Sequence, residues 1–123
     1  MSAFGLIAVA IGAVLGAWGR WALGLWLNTA EHSLPYGTLV ANVAGGLLIG
    51  VAVAWFARHP QVDPAWRLFA VTGFLGALTT FSSFSIESLG MLQRGAFGLA
   101  LAHTGVHLFG SLAAAAIGYR LAS

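Results

Sequence analysis

Residues 73–85 read GFLGALTTFSSFS, and what flanks them decides the fold. The uncharged run Leu68–Ile86 holds this stretch, and the apolar pattern resumes beyond Glu87 as far as Met91. A helix needs about 20 mainly apolar residues to cross a bilayer core. Three further segments meet that length. Ala3–Leu27 is apolar apart from Arg20, Gly37–Ala57 carries no charge, and Gly95–Tyr119 has only His103 and His107 as ionisable groups before its final tyrosine. The whole chain agrees: of 123 residues 59% are hydrophobic and 7% charged, with mean hydropathy +0.90. A soluble domain carries roughly 25% charged residues. The fold class expected is an all-α membrane protein of four transmembrane helices, forming a single domain over residues 1–123.

Composition also excludes several function classes. The formal charge of +2 comes from five Arg and no Lys, too few and too scattered for a nucleic-acid footprint. There is no Cys, hence neither a disulfide framework nor a thiolate metal site. The first apolar run is too long for the core of a signal peptide and has no basic segment before it, so it is expected to stay as a membrane helix. No Gly-x-Ser-x-Gly element, paired acids or metal triad is visible, and an enzyme is not expected. The connections hold turn residues: NTAEHSLPYG has Pro35 and Gly37, RHPQVDPAWR has Pro60 and Pro64, and QRG is nearly the minimum for an antiparallel helix pair.

With four spans, both termini and the 58–67 connection lie on one side of the membrane, with Arg58, Arg67 and Arg120. The opposite side holds Arg94, with Arg20 close by inside the first span. Arg placement orients membrane proteins, and three against one or two is a bias weak enough to permit insertion both ways. An antiparallel, dual-topology homodimer is the expectation. Four helices fill their own centre, so transport needs a second copy or a very narrow path. Contact faces are available: Gly12, Gly16 and Gly19 or Arg20 share a face of span one, and Asn42, Gly46 and Gly50 share one of span two. Small residues at this spacing let helices approach closely in lipid. Each stripe suits packing within one chain or between two, and at least one is expected at a dimer interface.

Polar groups within a membrane are expensive and mark functional candidates. Asn42, with Thr38 a turn before it, is either interhelical glue or a donor to a solute. Arg20 either extends to the interface or holds positive potential at a cavity mouth. Glu87 is open to pairing with Arg20, to capping a polar cavity or to carrying a proton. His103, His107 and Ser111 recur every four residues and share a helix face. The His pair has metal-ligand spacing, but span four supplies no third ligand. A polar stripe or interhelical hydrogen bonding is the preferred reading.

In the opening stretch, Gly, Thr and Ser weaken a helix at membrane depth. Freed carbonyls are tolerated there only against protein or a cavity, and such carbonyls can hold a bare cation. A break in the third helix mid-membrane is therefore expected. Beyond it Phe81 and Phe84 share a face. Two Phe at this spacing ordinarily mean core packing, but a phenyl edge is electropositive and can favour an anion without trapping it.

Taken together, GAVLGAWGRW (12–21), GTLVANVAGGLLIG (37–50) and GFLGALTTFSSFS (73–85) resemble the Fluc/CrcB fluoride-channel family over nearly the whole chain. The resemblance implies a multi-pass protein of the bacterial inner membrane that exports fluoride passively, protects against fluoride toxicity and rejects chloride. It implies an antiparallel homodimer with two fluoride pores. It places the paired pore phenylalanines on Phe81 and Phe84, the pore asparagine on Asn42 and the first-helix arginine, in a vestibule, on Arg20. The hydroxyls beside the path fall on Thr38, Ser111, Ser82 and Ser83, with His107 at a position often held by tyrosine. Glu87 matches the family's acidic position. The resemblance also implies a structural sodium ion at the dimer interface, held by backbone carbonyls of Gly76 and Thr79 from both copies. Two departures stand out: Ser83 replaces the usual Thr, and Ala77 replaces the second Gly of a common pair. The alternative from another class is a small proton-coupled multidrug antiporter using Glu87. Such proteins place an essential acid in the first span, where this chain has Arg20.

Overall fold

The computed structural model describes residues 1–28 and 34–123. Thr29–Ser33, in the first connection, lie outside the described residues. Helix α1 spans Ala3–Leu27 and α2 spans Tyr36–Arg58. A longer third segment follows: α3 (Pro64–Arg67) runs into π-helical turns over Leu68–Leu75 and then α4 (Gly76–Leu78). After two non-helical residues come α5 (Phe81–Gln93) and α6 (Phe97–Ala122). Four helical stretches, Ala3–Leu27, Tyr36–Arg58, Pro64–Gln93 and Phe97–Ala122, are long and apolar enough to cross a membrane, and no strand occurs among the described residues. This is the architecture of a multi-pass membrane protein.

The helix ends follow from local chemistry. Ser2 caps α1, its hydroxyl accepting from Gly5 N at 2.9 Å. Asp63 caps α3 with Pro64 in its first turn, where proline's missing N–H costs nothing. Gly95, at φ 75°, makes the turn into α6, a left-handed conformation that favours glycine.

Packing rests on close backbone approach. A Cβ on Gly12 or Gly16 would run into the backbone of Phe69 or Phe74, and one on Gly46 or Gly50 into Ser111 or Ala115. The residue pairs rise together along each couple, so spans one and three run parallel, as do two and four. Both small-residue stripes are thus occupied inside one chain, against the expectation that one faces a second copy. Bilayers provide no hydrophobic drive between helices, and small residues that permit dense contact take its place. Large apolar side chains point outward instead, among them Phe4, Ile7, Trp18, Trp21, Trp26, Leu101 and Phe109, as a lipid-facing surface requires.

The π-helical stretch had no counterpart in the sequence reading. Its i→i+5 ladder is shown where Gly76 N donates to Val71 O. It lies where Gly12 and Gly16 bring α1 against it.

Candidate functional site

The site is organised by Thr79 and Thr80, where the backbone turns extended (ψ 155° and 121°) between α4 and α5. Asn42 clamps this interruption from α2: its Oδ1 accepts from Thr80 N at 2.7 Å and its Nδ2 donates to Thr80 O at 3.0 Å. From α1, Arg20 Nε donates to Ala77 O at 3.0 Å, satisfying a carbonyl that an unbroken helix would pair with Phe81 N. Thr80 Oγ1 accepts from Ser83 N at 3.0 Å and so caps α5. These bonds redirect two donors. Thr80 N would otherwise serve Gly76 O, and Ser83 N would serve Thr79 O. The Gly76 and Thr79 carbonyls are thereby released from their helical partners.

A groove of about 790 Å³ runs beside this interruption, lined by α2, the third segment and α6. Asn42, Gly76, Thr79, Phe81, Phe84, His107 and Ser111 are among its lining residues. Phe81 is 80% exposed in the single chain, and its ring centroid lies 5.4 Å from that of Phe84. Phe84 is more enclosed, lying 4.9 Å from both His103 and His107.

His107 has a defined tautomer. Asn42 Nδ2 lies 3.0 Å from His107 Nδ1, and the Thr80 bonds fix Nδ2 as the amide's donor end. Nδ1 therefore accepts, and by network logic the proton sits on Nε2. That Nε2 is buried and has no hydrogen-bond partner among the described residues.

A second polar chain passes behind the groove. Gly37 N donates to Asn28 Oδ1 at 2.6 Å, which turns Asn28 Nδ2 toward Thr38 Oγ1 at 3.3 Å. Thr38 Oγ1 donates to Glu87 Oε2 at 2.5 Å. Glu87 Oε1 meets His103 Nε2 at 3.1 Å, and His103 Nδ1 meets Ser88 Oγ at 2.9 Å. Glu87 is thus held on one oxygen by Thr38 and on the other by His103.

The fold supplies the third ligand that span four lacked, since Glu87, His103 and His107 offer atoms within 4.8 Å of one another. The bonds do not present a metal site. His107 Nδ1 accepts a hydrogen bond from Asn42 Nδ2, so its Nε2 carries hydrogen rather than a lone pair, and His103 Nε2 is turned to Glu87.

The expected site residues thus fall into two groups. Asn42, Phe81, Phe84, His107, Ser111, Gly76 and Thr79 gather at the groove. Ser82 is exposed, with Oγ 3.3 Å from Thr80 Oγ1, and Ser83 contributes its backbone N–H. Thr38 is buried and does not line the groove, because its hydroxyl serves Glu87. Glu87 pairs with Thr38 and His103 rather than with Arg20. Ala77 contributes only its carbonyl to Arg20, which its methyl leaves free. Thr80, Asn28 and Ser88 were not anticipated. Thr80 alone had a signal, as a hydroxyl three residues before Ser83 at a helix start.

Residues 7–119 match the family described as CrcB-like protein, Camphor Resistance (CrcB). This chain belongs to the CrcB-like family. Among similar CrcB-like relatives is the "Fluoride-specific ion channel FluC" of Cupriavidus pinatubonensis, 55% identical over 98% of each chain. Proteins of the same name from Marinobacter nauticus and Chromohalobacter salexigens are 54% and 57% identical. They cover 93% and 92% of this chain, and 90% and 86% of their own lengths. CrcB-like membership gives no support to the antiporter alternative.

Proposed function

We propose that this chain forms a fluoride-selective channel, exporting fluoride passively across a bacterial inner membrane and so protecting the cell. The relatives' names supply the ion. The structural observation that carries the reading is the groove lined by Phe84 and His107, together with the His107 Nε2–H, a buried donor without an acceptor among the described residues. A buried donor left unmade costs about 1–3 kcal/mol. A small, strongly accepting anion that reached this donor from the groove would recover that cost. The electropositive edges of Phe81 and Phe84 and the Ser111 hydroxyl offer further weak contacts. Conduction needs such a series, each favourable enough to enter and weak enough to leave. Arg20, positioned by Ala77 O, adds positive potential at the path's mouth.

Two copies in antiparallel orientation complete the path in this reading, enclosing two pores. Phe81 and Gly76, exposed in one chain, then become covered. The released Gly76 and Thr79 carbonyls suit a hard cation such as sodium, which takes oxygen ligands. One chain offers only part of a coordination sphere, so the same four carbonyls from two copies would hold the ion at the shared interface. Its chemistry there is charge compensation for facing carbonyl dipoles.

The test is growth. A fluoride-sensitive bacterium lacking its own exporter should regain growth in millimolar fluoride when it produces this chain. Production in the membrane at normal level without any gain in tolerance contradicts the reading.

A further inference from the structure

His103 is fully buried and is not among the groove's lining residues, yet both of its nitrogens are tied. Its imidazole lies parallel to the Phe84 ring, with an interplanar angle of 5° and a centroid distance of 4.9 Å. We propose that His103 is a positioning residue: held by Glu87 and Ser88, its ring is the plate that fixes the plane of Phe84, and thereby which edge of Phe84 faces the groove. The inference rests on the proposed fluoride path for its functional consequence, but the holding of the ring stands on geometry alone.

The other ring contacts restrain Phe84 less. Phe81 is largely exposed and touches it only at a tilt of 46°. His107 lies against it at 52°. Neither contact defines a plane, whereas a parallel stack does. A plate works only if it cannot itself rotate. Ser88 and Glu87 grip opposite sides of the imidazole, and Glu87 is gripped in turn by Thr38, whose hydroxyl is met by Asn28. The chain therefore links the first connection of the fold to an aromatic ring in the groove. The titratable groups facing His103 are Glu87 from its own hydrogen bond and His107 from the next turn of α6, at a ring distance of 4.5 Å.

Two substitutions separate plate from tether. His103→Gln keeps a group able to reach Glu87 but removes the flat ring. His103→Phe keeps the ring and removes both tethers. The full chain in micelles, carrying labelled phenylalanine, is read by aromatic NMR for ring rotation of Phe84, alongside fluoride efflux from liposomes. The expected result is a Phe84 ring that is restrained in the unsubstituted chain, partly freed in His103→Phe, whose ring is no longer tethered, and freely rotating in His103→Gln. Efflux should fall about tenfold in His103→Gln, recover only in part in His103→Phe, and fall no further when His103→Gln is added to Phe84→Ile. That last non-additivity is not expected of a merely structural role. Ser88→Ala, which loosens one tether and leaves the plate, should raise Phe84 rotation to an intermediate degree and serves as the readout if His103→Gln fails to fold. An unchanged Phe84 ring in His103→Gln or, where that variant does not fold, in Ser88→Ala overturns the inference. So does a His103→Phe variant as impaired as His103→Gln. A restrained ring in a chain that passes no fluoride sinks the proposed function and leaves the positioning role supported.

Discussion

Removing the clamp on the helix interruption is the perturbation whose cost can be worked most directly. Asn42→Ala deletes three hydrogen bonds, to Thr80 N, Thr80 O and His107 Nδ1, at 2.7, 3.0 and 3.0 Å. Thr80 is 9% exposed and His107 is 6% exposed, so all three partners are left with poor access to water. An abandoned buried partner costs about 1–3 kcal/mol. Because the groove reaches Thr80, the low end applies, giving a total of about 3 kcal/mol, or roughly a hundredfold in the folding equilibrium. For a domain of this size that lowers the thermal midpoint by about 10 °C. The chain in micelles, followed by the fluorescence of its five tryptophans, reports the midpoint. Efflux from liposomes at a temperature where the variant is folded should also drop, since both the path's donor and its neighbouring backbone are disturbed. Asn42→Asp keeps an acceptor for Thr80 N but loses both donations and adds a negative charge. It should be at least as impaired in flux. An Asn42→Ala variant with an unmoved midpoint and normal flux refutes the clamp.

Three further outcomes are expected. Phe81→Ile and Phe84→Ile should each cut fluoride efflux by about tenfold or more while the chain remains folded, because a branched aliphatic has no electropositive edge; an electrode trace equal to the unsubstituted chain's contradicts their role. Gly16→Ala drives a methyl into the Phe74 carbonyl and should cost about 1–3 kcal/mol by overpacking. Gly105→Ala, where the space is open, should melt normally; equal midpoints for the two variants refute the packing argument. Arg20→Ala leaves Ala77 O without its donor and should lower the midpoint by about 1–2 kcal/mol equivalent. If Arg20 also gathers anions, the flux deficit of this variant should shrink as ionic strength rises, and a salt-independent deficit assigns Arg20 to capping alone.

Different parts of this molecule were legible in the sequence for different reasons. The four spans were readable because length and apolar content are one-dimensional properties, and α1 matches its expected limits, Ala3–Leu27. The gathering of Asn42, Phe81, Phe84, His107 and Ser111 was approachable because their motifs are dense in polar and aromatic groups where a membrane helix has few. Which stripe packs against which helix was not, since Gly12 and Gly16 suit any close neighbour, and the partner proved to be the π-helical stretch of the same chain. That stretch has no residue signature, as LFAVTGFL would suit an α-helix equally well. Thr38 and Ser111 looked alike as hydroxyls on apolar helices. Only the fold shows that one serves Glu87 and the other lines the groove. Likewise, the His103 and His107 pair suggested one role at one spacing, while their differing partners give a plate and an unfilled donor.

The central claim is that the groove beside Thr79–Thr80 passes fluoride and rejects chloride. The purified chain reconstituted in liposomes loaded with both ions, with ion-selective electrodes outside and charge balance supplied by a potassium carrier, tests it directly. The expected result is rapid fluoride release with chloride retained, and loss of that release on Phe84→Ile. Folded chain in the vesicles with fluoride retained, or with both halides released together, contradicts it.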